Sequence, residues 1–389
     1  MRSPPWILVA TIAFSLFLDY FLYGVHLSLI THAPAGLNNE GQLAWLYGAY
    51  AVSVLLVTPL FGWLGYTTGS KPVLLCGVVL AGAAAVLFSM GSNFQIFFWA
   101  RLCQGSASAA LWTSGLALVA AHYVERRVEM IGYAFTGSTA GSVLGPVAGG
   151  ILSHAGGYKL PFFIVGLLLA VNALLIIAFI PRERSVEKQK IEVRQLLLNR
   201  SVAIPALTVA LAAFAVGIIE PLLPARQARY GTTSQTMGLI FTVSTLVYGL
   251  SAPVVGRLSE RLSINRVVVL GAIGMAGTLP LLAVFRQAGM VCLAVALVYI
   301  SFAFMLNPAS AELGNAVDRA GMSCYSAAYA VYNVVYSIGM LATAALASAA
   351  AHSLGFLGAL LCISALLLLS IPVLISGMAI PKTAGHTPC

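Results

Sequence analysis

The sequence predicts an all-α integral membrane protein, with twelve transmembrane helices in two pseudo-symmetric six-helix bundles. Three observations carry that prediction. Of the 389 residues, 60% are hydrophobic and only 8% charged, whereas a soluble domain is about 25% charged. Apolar runs long enough to cross a ~30 Å hydrocarbon core recur along the chain. The stretch Thr58-Pro59-Leu60-Phe61-Gly62-Trp63-Leu64 returns 194 residues later as Ala252-Pro253-Val254-Val255-Gly256-Arg257-Leu258, at the end of the second run of each half. A duplicated six-helix unit is the simplest source of such a repeat.

In order, the runs 6–30, 42–65, 72–91, 94–121, 128–153 and 160–181 form an N-terminal bundle, residues 1–181. The runs 202–224, 236–257, 266–285, 290–312, 322–348 and 355–380 form a C-terminal bundle, residues 201–382. Between them, 182–200 is a charged linker suited to an amphipathic helix on the inner surface, and 383–389 is a short tail. The net charge of +9 does not indicate nucleic acid. Bases collect on alternate loops, with Lys71, Arg126, Arg127, Arg261 and Arg266 on one side against Lys159, Arg226, Arg229 and Arg286 on the other. That bias predicts cytoplasmic termini. The sole N-x-S/T sequon, at Asn199, falls on the cytoplasmic side, which fits a bacterial inner membrane. The first run lacks a cleavage-site pattern and is expected to be retained. The six cysteines have no metal-ligand spacing, and no metal or cofactor other than the coupling proton is expected.

Polar residues inside the apolar runs point to function. The first helix carries Asp19, and an ionised carboxylate at the bilayer centre costs at least ~2.5–3.5 kcal/mol, so it should face protein or a watery cavity. Tyr23 and His26 follow at i+4 and i+7 on the same side. The fourth helix carries Arg101, which cannot lose its proton and must find a carboxylate, carbonyls or water. The fifth reads Gly141-Ser-Val-Leu-Gly145-Pro146-Val-Ala-Gly149-Gly150 after Gly137, small residues that let backbones approach. The seventh places Glu220 just before Pro221 and Pro224, near the outer end. The eleventh aligns Tyr325, Tyr329, Tyr332 and Tyr336 beside Asn333, either as helix contacts or as a cavity wall of rings and hydroxyls.

These stretches together resemble the major facilitator superfamily. Gly62-x-Leu64-x-Tyr66-Thr67-x-Gly69-Ser70-Lys71 resembles its loop motif G-x-L-x-D-R-x-G-R-K, with the acid and first arginine lost; the second copy, from Gly256, keeps Glu260, Arg261 and Arg266. The resemblance implies a gating latch there, while the bases alone would equally serve as inside-positive anchors. Arg101-x-x-Gln104-Gly105 resembles the R-x-x-Q-G motif of proton antiporters, which implies influence over the protonation of Asp19; tying helices together is the other use. The helix-five string resembles the motif of twelve-helix drug:proton exporters, beside its plainer reading as a packing face. Leu16-Phe17-Leu18-Asp19-Tyr20 and Ile219-Glu220-Pro221-Leu222-Leu223-Pro224 resemble stretches of the vesicular amine transporters. That resemblance implies that Asp19 contacts a substrate amine and exchanges protons, and that Glu220 lines the same pathway. Where those relatives carry a helix-two lysine and a helix-eleven aspartate, this chain has about Tyr50 and Asn333.

The reading is a proton-coupled antiporter, expected as a monomer in the bilayer, that exports a small organic cation, amine or drug-like molecule by alternating access. Asp19, Glu220 and Arg101 serve coupling; Tyr23, His26, Tyr50, Tyr329, Tyr332, Asn333 and Tyr336 join Asp19 and Glu220 in binding. Arg101, Arg226, Arg229 and His26 keep open export of a polyhydroxylated, anionic or metal-chelating metabolite such as a siderophore, or of a metal ion. The degraded first loop motif keeps open a transport-inactive receptor. No nucleophile-base pair or phosphate loop suggests an enzyme.

Overall fold

A computed structural model of the chain describes residues 5–29, 40–91, 93–181, 199–320, 324–343 and 348–378. The N-terminal bundle comprises α1 (Pro5–Leu29), α2 (Glu40–Thr68), α3 (Ser70–Met90), α4 (Phe94–His122), α5 (Arg127–Gly156) and α6 (Leu160–Phe179). The C-terminal bundle comprises α7 (Arg200–Gly217), α8 (Ile219–Ala228), α9 (Ser234–Leu262), α10 (Ile264–Thr278), α11 (Leu281–Val284), α12 (Ala288–Arg319), α13 (Tyr325–Ala342) and α14 (Ser348–Met378). These make twelve membrane passes in two bundles. Two passes are broken where one continuous helix was expected. The seventh turns at Ile218 between α7 and α8, just before Pro221, and the ninth breaks before Pro280 between α10 and α11; proline removes a donor and crowds the preceding turn.

Among the described residues, nine helical spans are long and apolar enough to cross a membrane by composition alone. The three passes outside that set are α4, α5 and α13, which carry the small and polar residues turned toward the interior. Outward-facing apolar side chains such as Phe163, Leu250 and Leu369, each at least 70% exposed, form the lipid-facing surface. Of the expected linker, 182–200, residues 182–198 lie outside the described residues; Asn199 caps α7 by accepting a 3.0 Å bond from the Ser201 backbone N–H, and Arg200 is already its first residue. The expected tail also lies outside them.

The internal repeat has a backbone counterpart. Gly69 (φ 90) joins α2 to α3, and 194 residues later Ser263 (φ 73) joins α9 to α10. Positive φ is cheap only for glycine, so the second copy holds the turn at a steric cost.

Small residues set the helix crossings. In α5, Gly137, Gly141 and Gly145 lie on the backbone of α1, where an added Cβ would collide with the carbonyl oxygens of Ala13, Phe17 and Phe21. Gly24 of α1 returns the contact, its would-be Cβ 2.5 Å from Pro146 Cδ. Gly149 continues the ridge against Val25 and Ser28, whereas Gly150 faces outward, with no atom among the described residues within 4 Å of an added Cβ. The same helix meets the other bundle: Gly132 lies on the Ala252 carbonyl, and Gly256 of α9 lies on the backbone of Glu129. Across the molecule, Gly62 and Gly65 of α2 pack on Ala330 and Ser326 of α13. Gly62 and Gly256 thus occupy equivalent bundle-to-bundle contacts.

These glycine contacts yield a contrast. Gly141→Ala should destabilise the protein by ~1–3 kcal/mol, the usual cost of overpacking, while Gly150→Ala should leave stability unchanged or slightly raised. Thermal unfolding of the two purified variants checks this.

Candidate functional site

Between the bundles lies a cavity of about 480 Å³. Its wall takes Asp19, Tyr20 and Tyr23 from α1, Tyr50, Ala51 and Val54 from α2, Ser108 and Trp112 from α4, and Phe135, Ser138, Thr139 and Ser142 from α5. The C-terminal bundle adds Val216, Thr245, Tyr248, Tyr299, Phe302, Leu306, Tyr332, Asn333, Tyr336, Ser337, Met340 and Leu341. The repeat relates the two sides, since Ala51 and Val54 become Thr245 and Tyr248 on adding 194.

Asp19 is buried, at 3% exposure, on this wall. Its Oδ2 accepts from Ser108 Oγ at 2.8 Å and from Trp112 Nε1 at 3.0 Å. Tyr50 donates its hydroxyl to Ser108 Oγ at 3.1 Å, extending the chain of donors. Arg101 is buried behind this layer. Its Nη1 donates to Gln104 Oε1 at 2.8 Å and its Nε to the Leu46 carbonyl at 3.3 Å. The guanidinium carbon lies 5.0 Å from the ring centre of Tyr23 and 5.1 Å from that of Tyr50, within cation–π range. The arginine therefore reaches the cavity through two phenol rings that themselves line it.

Several expected residues are placed elsewhere. His26 was expected beside Asp19 and Tyr23, but its ring stacks on Phe88 at 4.0 Å, with Phe97 at 6.0 Å, and it is absent from the cavity wall. Seven residues return to nearly the same side of α1 but about 10 Å further along its axis, a depth at which that side meets Phe88 of α3 and Phe97 of α4 instead of the cavity. Both its ring nitrogens lack a partner among the described residues. In the tyrosine stripe only Tyr332 and Tyr336, with Asn333, reach the cavity. Tyr329 is fully buried and donates to the Ser310 carbonyl at 2.9 Å, and Tyr325 donates to Asp318. Asn333 Nδ2 bridges the bundles to Thr113 Oγ1 at 2.9 Å. Glu220 belongs to α8, its side chain outside those described.

Sequence reading missed other members of the wall. Ser108 and Trp112 lie seven and eleven residues beyond Arg101, on the continuation of its helical face, so periodicity held the signal. Tyr248 could have been found by carrying Val54 through the repeat. Tyr299 and Phe302 had no signal, being aromatics in an apolar helix.

At the end of the molecule where α1 begins, charged pairs close the bundles on one another. Arg127, buried, donates to Asp318 Oδ2 at 2.8 Å and to Asn315 Oδ1 at 2.5 Å of α12. Glu129 accepts from Arg126 Nε at 2.8 Å and from Arg257 Nε of α9 at 2.9 Å. The loop residues expected to gate are arranged differently. Glu260 and Arg261 are exposed, and Lys71 binds the Ile177 and Ile180 carbonyls at the end of α6, at 2.9 and 2.6 Å, inside its own bundle. Arg226, one basis for an anionic cargo, donates to the Ala283 carbonyl and stands over the Tyr230 and Phe356 rings, off the cavity wall.

The family model for the Major Facilitator Superfamily matches residues 10–206 and 205–386. The chain belongs to that superfamily. It is a membrane transporter, then, and not an enzyme. Among curated proteins this transporter is 26% identical over 376 residues to the probable vesicular acetylcholine transporter-B of Danio rerio, covering 90% of this chain and 75% of that one. It is 23% identical over 338 residues to the vesicular acetylcholine transporter of Drosophila melanogaster, covering 83% of this chain but only 58% of the relative's length. Among solved structures, a human organic anion transporter superposes with a TM-score of 0.75 at 17% identity, covering 96% of this chain and 100% of that chain. The E. coli fucose:proton symporter gives 0.73 at 15% identity, covering 96% and 98%. At those identities the structures speak to the fold alone.

Two outcomes follow from the geometry. His26→Phe should retain transport with an unchanged KM, and should be neutral or stabilising by ~1–2 kcal/mol, because it removes two unpaired buried nitrogens while keeping the stack on Phe88. Transport kinetics and thermal unfolding of that variant check it. Arg127→Ala should loosen the end where α1 begins. A cysteine at Ser337 in the cavity should then react about tenfold faster with an impermeant maleimide applied from that side, the ratio given by ~1.4 kcal/mol of lost latch.

Proposed function

We propose that this transporter is a proton-coupled antiporter that exports a small organic cation, an amine or drug-like molecule, by alternating access. The observation that carries the proposal is the charge of the cavity wall. Among the described residues lining it, Asp19 is the one charged side chain, surrounded by tyrosines, Trp112 and two phenylalanines. Aromatic faces and a carboxylate together attract an organic cation, and an anion would meet only repulsion from Asp19.

A proton and a cation satisfy the same carboxylate, so each displaces the other. An unneutralised charge crossing the membrane centre is costly, so the bundles rock only when Asp19 carries one of the two. Exchange is obligatory for that reason. The vesicular acetylcholine transporters among its relatives support a quaternary ammonium or amine as cargo. Cytoplasmic termini and a bacterial inner membrane remain our placement. A vesicle lumen and a bacterial exterior are topologically equivalent, and protons run from either toward the cytoplasm. In this proposal Arg101, behind Tyr23 and Tyr50, influences the protonation of Asp19, and Glu220 lines the same pathway.

Asp19→Asn should express and fold normally, yet lose essentially all cation movement driven by a pH gradient in inside-out vesicles. Normal gradient-driven movement in that variant would sink the proposal.

A further inference from the structure

The cavity holds its exchangeable charge at one atom. Asp19 Oδ2 is taken by two donors, Ser108 Oγ at 2.8 Å and Trp112 Nε1 at 3.0 Å. Ser108 is oriented in turn by the Tyr50 hydroxyl, so the run of donors points toward the carboxylate and holds Oδ2 as an acceptor whether or not the acid is protonated. Trp112 is itself wedged between Tyr20, edge-on at 5.8 Å, and Phe135 at 5.6 Å, which keeps its N–H aimed. Oδ1 has no hydrogen-bond partner among the described residues and belongs to a residue of the cavity wall. A proton or a cation arriving from the cavity therefore meets Oδ1.

Among the described residues, the surroundings add no second exchangeable charge. Among the described wall residues there is no further acid and no Lys, Arg or His. Asn333 is an amide engaged with Thr113. Arg101 faces the site through Tyr23 and Tyr50 and is charged in every state, so it tunes affinity without altering the count. His26 faces Phe88 and Phe97. Glu220 follows Val216, a wall residue, by four positions, past the turn at Ile218.

Resting on the antiport reading above, we infer that Asp19 Oδ1 is the single exchange point, so that one monovalent cation leaves for each proton that enters and the cycle moves no net charge. In one half-cycle the cation sits against ionised Asp19; in the other the proton bonds Oδ1. The moving cavity carries the same charge both ways. Membrane potential then contributes nothing to accumulation, and dications, which would leave one charge unbalanced, are excluded. Glu220 exchanges no proton in this scheme.

The test uses the full chain in liposomes with ethidium, a permanent monovalent cation that brings no proton of its own, after subtraction of protein-free liposomes. With potential clamped at zero by valinomycin and equal potassium, a pH gradient should drive ethidium movement. A superimposed potassium diffusion potential of about 100 mV should then leave accumulation unchanged, whereas a cycle moving one net charge would shift it about 50-fold. Movement that responds both to pH and to potential overturns the one-charge inference and leaves antiport standing. Absence of pH-driven movement overturns both. Glu220→Gln should stay insensitive to potential, like the wild type; a wild-type cycle that responds to potential while this variant does not gives Glu220 a second exchanged proton and also overturns the inference.

Discussion

The rest of the structure depends on how closely α5 can approach two other helices. In lipid there is no hydrophobic drive between apolar helices, so association rests on van der Waals contact and on what lets backbones touch. Gly137, Gly141 and Gly145 bring α5 onto the main chain of α1, and Gly132 brings it onto α9 of the other bundle. Asp19 sits on α1 and Tyr248 on α9, so these contacts set the width of the cavity between them. The first turn of the same helix carries Arg127 and Glu129, which hold α12 and α9 across the end where α1 begins. One helix thus defines the cavity and closes one of its ends.

The cavity is chemically lopsided. Its N-terminal side supplies the acid, with Ser108, Trp112 and Tyr50 holding it; its C-terminal side supplies aromatic and hydroxyl surface. Arg101 is kept from the cavity by the rings it stacks on. That separation matters because a direct Arg–Asp pair would neutralise the carboxylate permanently, and neither a proton nor a cation could then compete for it.

Much of this was legible in the chain. Twelve apolar runs and the 194-residue repeat foretold the helices and their division into two bundles, and an acid in the first run foretold a polar interior. The stripes were legible only halfway. Tyr325, Tyr329, Tyr332 and Tyr336 do share a side of α13, yet the lower two serve packing and the closed end while the upper two meet the cavity. Spacing tells which residues stand together on a helix; it is silent on which neighbour that side meets at each depth. The gating residues show the same limit: the second loop motif drew attention to Glu260 and Arg261, while Arg257, one turn earlier, is the base that reaches Glu129.

By itself the sequence determined that the protein spans a membrane, that it is built twice over, and that Asp19 and Arg101 stand inside it, because burial of charge in lipid is too costly to be accidental. The tertiary structure decided that Asp19 lines a cavity and His26 does not, that Arg101 acts through Tyr23 and Tyr50, and that the bundles are held by the first turn of α5. Those outcomes turn on helix rotation and on approach distances of a few ångströms. Both are set by residues on neighbouring helices far away in the chain, where no local pattern records them.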